Sequence, residues 1–165
     1  MTADYLTAVR DFHYREVEPY LGPPQGCTQA EVDNLEHALG YPLPEAYRQY
    51  LLWMGADHGG IFVGCDWHLR NVLANNKRLP ELLAENRVNW QLPPHYVTFM
   101  THQGYVAAYF GLPKESDDPP VYSYNECGTE LMVTKQGTFT EFLLQDMKGL
   151  TESMQEVVEK RSGEA

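Results

Sequence analysis

Two histidines, an aspartate and a cysteine lie close together in the middle of the chain. They are Asp57, His58, Cys65 and His68. Zinc sites in proteins use carboxylate, imidazole and thiolate ligands, and a cysteine beside a histidine base can act as a nucleophile. The spacing matches neither a helical His-x-x-x-His pair nor a Cys-x-x-Cys pair. We therefore predict no metal and no cofactor, and interpret the group as loop polarity with a buried cysteine.

A nucleophilic cysteine needs a nearby base and a lowered pKa. Cys65 or Cys127 could supply the thiol, and His95 or His102 the base, but no signature sets one beside the other. No serine lies in a Gly-x-Ser-x-Gly turn, and no glycine-rich loop suits a phosphate. We predict no catalytic residues and no enzyme. A small enzyme with a pocket near His58, Cys65 and His102 stays open as an alternative.

Acidic residues are the strongest candidates for a binding role. Glu115, Asp117 and Asp118 form a local run that Pro119 and Pro120 would stiffen, which lowers the ordering cost of docking. Catalytic carboxylates converge from separate elements, so this run indicates a docking surface or a solvated loop. The predicted partner-binding residues are Asp57, Asp66, Trp67, Glu115, Asp117, Asp118 and Glu126.

Aromatic residues offer further contacts. Trp67 and Trp90 flank irregular segments, where each is an exposed anchor or a core residue. Alternation along a strand places Tyr105 and Tyr109 on one face. That face is either a tyrosine-rich binding surface or covered by a second layer, and tyrosine suits interfaces because it offers large area at low entropy cost.

Charge and length limit the class of protein. The net charge of −11 disfavours nucleic acid and acidic membranes and favours a basic protein partner, although acidity also serves solubility. The 165 residues suit one domain, and 43% are hydrophobic, enough for a real core. No secretory signal or membrane span is visible, so the expected location is cytoplasmic. Three widely spaced cysteines indicate reduced thiols. A monomer or weak homodimer is expected.

The segment from Cys27 to Gly55 predicts two short helices joined by a turn. Thr28 and Glu31 have the spacing of a capping box, and Gly40 stands where a left-handed C-cap belongs. The second helix, started by Pro44, carries an apolar stripe that must pack on another layer. The stripe consists of Tyr47, Tyr50, Leu51 and Met54.

The other elements give an α+β fold. The pattern predicts an amphipathic helix over Asp4–Val17, which packs on the domain or serves as a binding arm. Asp66 is expected to cap a helix that is interrupted at residues 75–77. The period then changes to two, with a hairpin from Tyr96 to Phe110 and strands at Val121–Tyr124 and Glu130–Thr134. A turn over 135–137, a helix ending at Gly149 and a short last helix follow. We predict a single domain with an antiparallel sheet of about four to six strands: an N-terminal helix and linker (1–26), the α+β domain (27–149), and a C-terminal helix with a frayed tail (150–165).

These motifs resemble the SUKH superfamily, which contains fungal cell-wall-synthesis and killer-toxin-resistance regulators and many bacterial relatives. The matching helix-pair residues are Thr28, Glu31, Leu35, Glu36, Leu39, Gly40, Leu43, Pro44, Tyr47, Leu51 and Gly55. Three later segments, His102–Phe110, Asp117–Glu126 and Thr138–Met147, look like the strands and closing helix of one bacterial branch. The family loop before the second strand is usually rich in Asp and Gly, whereas this chain has His-Gln-Gly.

The resemblance implies a non-enzymatic protein-binding module. Bacterial members are often immunity proteins that bind and neutralise a cognate toxin, frequently a nuclease with a basic cleft. An acidic, rigid surface suits such a cleft. The alternative is an intracellular scaffold or regulator of the cell-wall-synthesis type.

Overall fold

Helices precede and follow a run of antiparallel strands, which confirms the predicted α+β class. The computed structural model describes residues 2–127 and 133–163. The helices are α1 (Thr7–Phe12), α2 (Glu18–Leu21), α3 (Gln29–Leu39), α4 (Glu45–Met54), α5 (Val72–Glu85) and α6 (Phe139–Gly163). A π-helical turn (His13–Val17) joins α1 to α2, and a 3₁₀ turn (Leu69–Asn71) leads into α5. The strands are β1 (His95–His102), β2 (Val106–Leu112), β3 (Pro120–Asn125) and β4 (Val133–Thr138). Within these residues the helices are too short or too polar to cross a membrane.

The helix pair forms as its capping residues predict. The backbone N–H of Thr28 donates to the Glu31 carboxylate at 2.7 Å, and the Thr28 hydroxyl accepts from the Glu31 N–H at 3.3 Å. Gly40 ends α3 in the left-handed region at φ 76°, which glycine adopts without a steric penalty. Pro44 is the N-cap of α4 rather than its first residue. The apolar stripe of α4 is completely buried.

The sheet is a four-stranded meander in the order β1-β2-β3-β4. Strands β1 and β2 form the predicted hairpin. The predicted strand at Glu130–Thr134 lies partly outside the described residues. The turn predicted at residues 135–137 is wrong, because β4 continues through it and Lys135 pairs with Tyr122. Gly137 has φ +86° and permits the irregular step that keeps β4 paired to β3.

Two helices run through residues predicted to interrupt them. Helix α5 is continuous over residues 75–77, because Asn75 and Asn76 use their side chains outside the helix. Asn76 accepts from the Thr98 N–H at 2.6 Å and donates to the Tyr96 carbonyl at 2.9 Å, which fastens α5 to β1. Helix α6 continues past Gly149, since an exposed helical glycine costs only about 1 kcal/mol and buried residues continue on either side.

The sheet divides two hydrophobic cores. The larger core lies between one sheet face and α3, α4 and α6, and includes Phe99, Phe110 and Phe139. The smaller core lies on the other face, where Leu79 and Leu82 of α5 pack against strand residues. Helix α1 belongs to the larger core because Val9 and the N-cap residue Leu6 are buried there, so it packs on the domain rather than extending as an arm.

Candidate functional site

The acidic loop between β2 and β3 is only partly free for binding. Glu115 is exposed. Asp117 accepts a hydrogen bond from Lys114, which lowers the pKa of the Asp117 carboxyl. The Asp117 carbonyl also accepts from the Ala46 N–H at 2.9 Å and holds the loop against α4. Of the described loop carboxylates, Glu115 therefore has the freest side chain.

Asp118 is tied to the start of α6. Its carboxylate accepts from the Thr140 backbone N–H at 3.0 Å and from the Thr140 hydroxyl at 2.5 Å. The first amides of a helix have no partner within the helix, and the positive end of the helix dipole favours an anion there. Asp118 therefore has a structural role. The bonds to Thr140 explain an aspartate at this position without a partner protein.

Asp66 and Glu126 lie at the opposite end of the sheet from this loop. The Asp66 N–H donates to the Thr101 carbonyl at 2.8 Å, near the end of β1, and the Glu126 N–H donates to the Tyr105 carbonyl at 2.9 Å. Both side chains are exposed. The six residues of β3 separate this end from the acidic loop, a distance of roughly 20 Å. The seven sequence-predicted contacts therefore do not form one compact patch.

Trp67 is a core residue and not an exposed anchor. It is fully buried, and its ring stacks on Phe62 with centroids 4.6 Å apart. Its carbonyl accepts from the Tyr50 hydroxyl at 3.1 Å, which fixes the loop onto α4. A large apolar ring gains more from this burial than from solvent, so Trp67 leaves the contact set.

An aromatic groove lies on the outer face of the sheet. It has a volume of about 370 Å³. Trp90, 39% exposed, donates from its indole N–H to the Tyr109 hydroxyl at 2.7 Å. Tyr109 stacks on Tyr122 with ring centroids 5.6 Å apart. Pro93 and Glu115 complete the margins, so the groove joins aromatic rings to the freest carboxylate of the acidic loop. We call it the aromatic groove.

The sequence predicts single residues of the aromatic groove but not their arrangement. Trp90 is a candidate for an exposed anchor, and alternation along the strand places Tyr109 on one face, as the structure confirms. The sheet face that carries Tyr109 is partly covered by a second layer and partly open for binding. Helix α5 covers one part of it, and the aromatic groove occupies another. No local pattern in the sequence predicts that the irregular segment before β1 lines the aromatic groove, because this depends on where that segment packs against the sheet.

Asp57, His58 and His68 converge near the linker that follows α2, with Asp57 exposed, His58 buried and His68 half-buried. Ligand atoms of the three side chains all lie within 4.8 Å of one another. The two imidazole rings stack with centroids 4.4 Å apart. Burial, and then the neighbouring His68, lower the pKa of His58 to about 4. Cys65 has a different neighbour and is not part of this cluster.

Cys65 and His102 form a separate pair. The Cys65 Sγ and His102 Nδ1 atoms lie 3.0 Å apart, within hydrogen-bond distance. Burial, with Asp146 and Asp66 nearby, raises the pKa of the Cys65 thiol to about 11. Because the thiolate is the nucleophile, this environment keeps the sulfur unreactive at neutral pH. The geometry required by the enzyme alternative is present, but the electrostatics oppose it.

The comparison with known families agrees with the fold. The family model described as SMI1 / KNR4 family (SUKH-1) matches residues 26–145. The chain belongs to this family. No curated protein matches the sequence.

Membership in the SMI1 / KNR4 family (SUKH-1) confirms the resemblance and defines the range of functions. The family includes immunity proteins and SMI1-type regulators. The matched residues contain the helix pair, the sheet and the start of α6, and thus every residue of the aromatic groove. Helices α1 and α2 precede the match.

Proposed function

We propose that this protein is a non-enzymatic binding module, and specifically an immunity protein that neutralises a basic toxin by occupying its active cleft. Family membership supports the module, and the net charge of −11 supports a basic partner. The observation that carries the proposal is the aromatic groove with Glu115 at its margin.

The groove has the composition of a protein-binding hot spot. Trp and Tyr are enriched among residues that dominate interface energetics, because they bury large area and keep a polar group for hydrogen bonding. The hydrogen bond from Trp90 to Tyr109 holds the indole in place before a partner arrives. Pro93 also restricts the backbone beside it, so little conformational entropy is lost on binding.

Charge supplies the second part of the mechanism. Glu115 is exposed at the groove, and Asp66 and Glu126 are exposed at the far end of the sheet. Acidic side chains accelerate encounter with a basic cleft and lose this effect as salt screens them. Asp117 and Asp118 already have intramolecular partners, so they add to the field more than to direct contacts.

The test begins with a search of the gene neighbourhood for a toxin domain, which is then expressed for binding measurements. Association and dissociation rates are measured by biolayer interferometry at low and moderate salt. Trp90→Ala should raise the dissociation rate about 30-fold, the effect of a hot spot worth about 2 kcal/mol. Glu115→Lys should lower the association rate and flatten its salt dependence. Matched controls are Tyr14→Ala, at an exposed tyrosine, and Glu152→Lys, at an exposed glutamate on α6.

Each result has a distinct meaning. If the protein binds the toxin and neither Trp90→Ala nor Glu115→Lys changes the rates, the immunity function is kept and the aromatic groove is rejected as the contact surface. Failure to bind or suppress the toxin on co-expression would reject the immunity function. Recovery of envelope-synthesis proteins from host lysate would then favour the regulatory alternative.

A further inference from the structure

The cluster of Asp57, His58 and His68 holds more coordinating capacity than the fold uses. These residues approach from two segments, a glycine-rich loop after α4 and the residue preceding the 3₁₀ turn. The Asp57 carboxylate accepts one hydrogen bond, from the Gly59 N–H at 2.8 Å. A carboxylate accepts several, so an oxygen remains available.

His58 has buried nitrogens without partners. The residue is only 7% exposed, and neither Nδ1 nor Nε2 has a hydrogen-bond partner in the described structure. Buried polar atoms are nearly always satisfied, because an unsatisfied one has lost its hydrogen bonds to water without replacement. The His58 ring meets Phe62 edge-on and stacks on His68, but these contacts do not satisfy its nitrogens. A metal ion bound to one of the two His58 nitrogens would give that nitrogen the partner that it lacks.

We propose that Asp57, His58 and His68 form a binding site for a single divalent transition-metal ion, with zinc as the preferred ion. Two imidazoles and a carboxylate are a common three-ligand zinc set, which leaves the fourth position to water or to another molecule. Calcium and magnesium prefer all-oxygen ligands, so this cluster selects against them.

Charges of both signs lie near the cluster. Asp57 and Asp66 act electrostatically on His68, and Arg70 opposes them. The Asp57 carboxylate is itself one of the three ligands, so it supplies the negative charge nearest to a bound cation.

Binding of the ion requires the ligand atoms to move closer together. Ligand atoms in a tetrahedral zinc site are about 3.3 Å apart, so separations of up to 4.8 Å must shorten. Gly59 and Gly60 both have positive φ and follow His58 directly, which gives the loop conformations that other residues rarely adopt. In the proposed site the His58 and His68 rings rotate about their side-chain bonds to reach these distances.

The test is zinc titration of the full chain, stripped with a chelator that is then removed, against a chromophoric zinc competitor. We expect one zinc per chain, and Asp57→Asn, His58→Gln and His68→Gln should each weaken binding by at least about 100-fold, the upper end of what loss of an outer-shell group costs. Calcium should not compete. His37→Gln, at an exposed histidine on α3, and Cys65→Ser should leave the affinity unchanged.

A second measurement avoids dependence on the variants. Zinc added to isotope-labelled wild-type protein should shift the imidazole resonances of His58 and His68 and leave those of His37 in place. Absence of stoichiometric binding would overturn the site. Zinc binding lost in Cys65→Ser but kept in His68→Gln would also overturn it, because the ion would then lie at the Cys65–His102 pair. Neither result depends on toxin binding, so the proposed function stands or falls separately.

Discussion

Replacing Asp118 should destabilise the fold, although this residue lies in the acidic loop. Its carboxylate accepts from both the amide and the hydroxyl of Thr140 at the start of α6. The neighbouring amides are also satisfied: the Phe139 N–H donates to the Pro119 carbonyl at 2.9 Å, and the Glu141 N–H donates to the Thr138 hydroxyl at 3.4 Å. Asp118→Ala removes the only one of these acceptors that carries a charge.

The expected loss follows from the bonds removed. Loss of a helix cap costs about 1 kcal/mol, and loss of a charge near the helix N-terminus about 0.5 kcal/mol. The hydroxyl bond adds a comparable amount, so Asp118→Ala should reduce the free energy of unfolding by about 2 kcal/mol. Asp118→Asn keeps an oxygen acceptor and should lose about 1 kcal/mol.

Urea unfolding followed by tryptophan fluorescence measures this difference. With a slope of about 2 kcal/mol per molar, the midpoint should fall by about 1 M for Asp118→Ala. Glu115→Ala is the matched control, since Glu115 is exposed in the same loop and its loss should change stability by less than about 0.5 kcal/mol. Equal midpoints for Asp118→Ala and Glu115→Ala would refute the capping role and return Asp118 to the candidate contacts.

Three further predictions concern buried or capping groups. Thr28→Ala should cost about 1 kcal/mol in thermal unfolding, because it breaks the capping box of α3, whereas Gln29→Ala should cost less; equal effects would contradict the cap. Burial lowers the pKa of His13 from its usual 6.5, so the unfolded chain binds the proton more readily. Stability should therefore fall as pH drops below about 6.5, and urea midpoints at pH 7.5 and 5.5 should differ less in His13→Gln; an unchanged difference would reject this linkage. Cys65, whose pKa is raised to about 11, should react slowly with a disulfide reagent at pH 8, whereas exposed Cys127 should react first; a fast phase lost in Cys65→Ser would revive the enzyme alternative.

Local rules predicted those elements whose causes lie within a few residues. The capping box at Thr28, the left-handed Gly40 and the alternation along β2 each depend on neighbours in sequence, and each is present. The family resemblance was also readable, because it depends on several such motifs in a fixed order.

Features that depend on distant segments were not predictable in this way. Asn76 has a poor helix propensity, and its use in α5 becomes clear only from its bonds to β1. In the sequence, Asp118 is one of several acidic residues in a loop. Its role depends on its contact with Thr140, which is distant in sequence. Trp67 has an irregular sequence context, yet Phe62 and Tyr50 enclose it.

Neighbouring residues of a strand lie on opposite faces of the sheet, so a substitution at one of them leaves the other face unchanged. Val121 and Tyr122 are adjacent in β3, but Val121 is fully buried in the larger core and Tyr122 lines the aromatic groove. A change at Tyr122 alters the outer surface and leaves the packing around Val121 in place, because successive strand side chains point to opposite faces. Substitutions at outer positions of β3 should therefore change what the sheet presents to a partner without a matching change in the larger core.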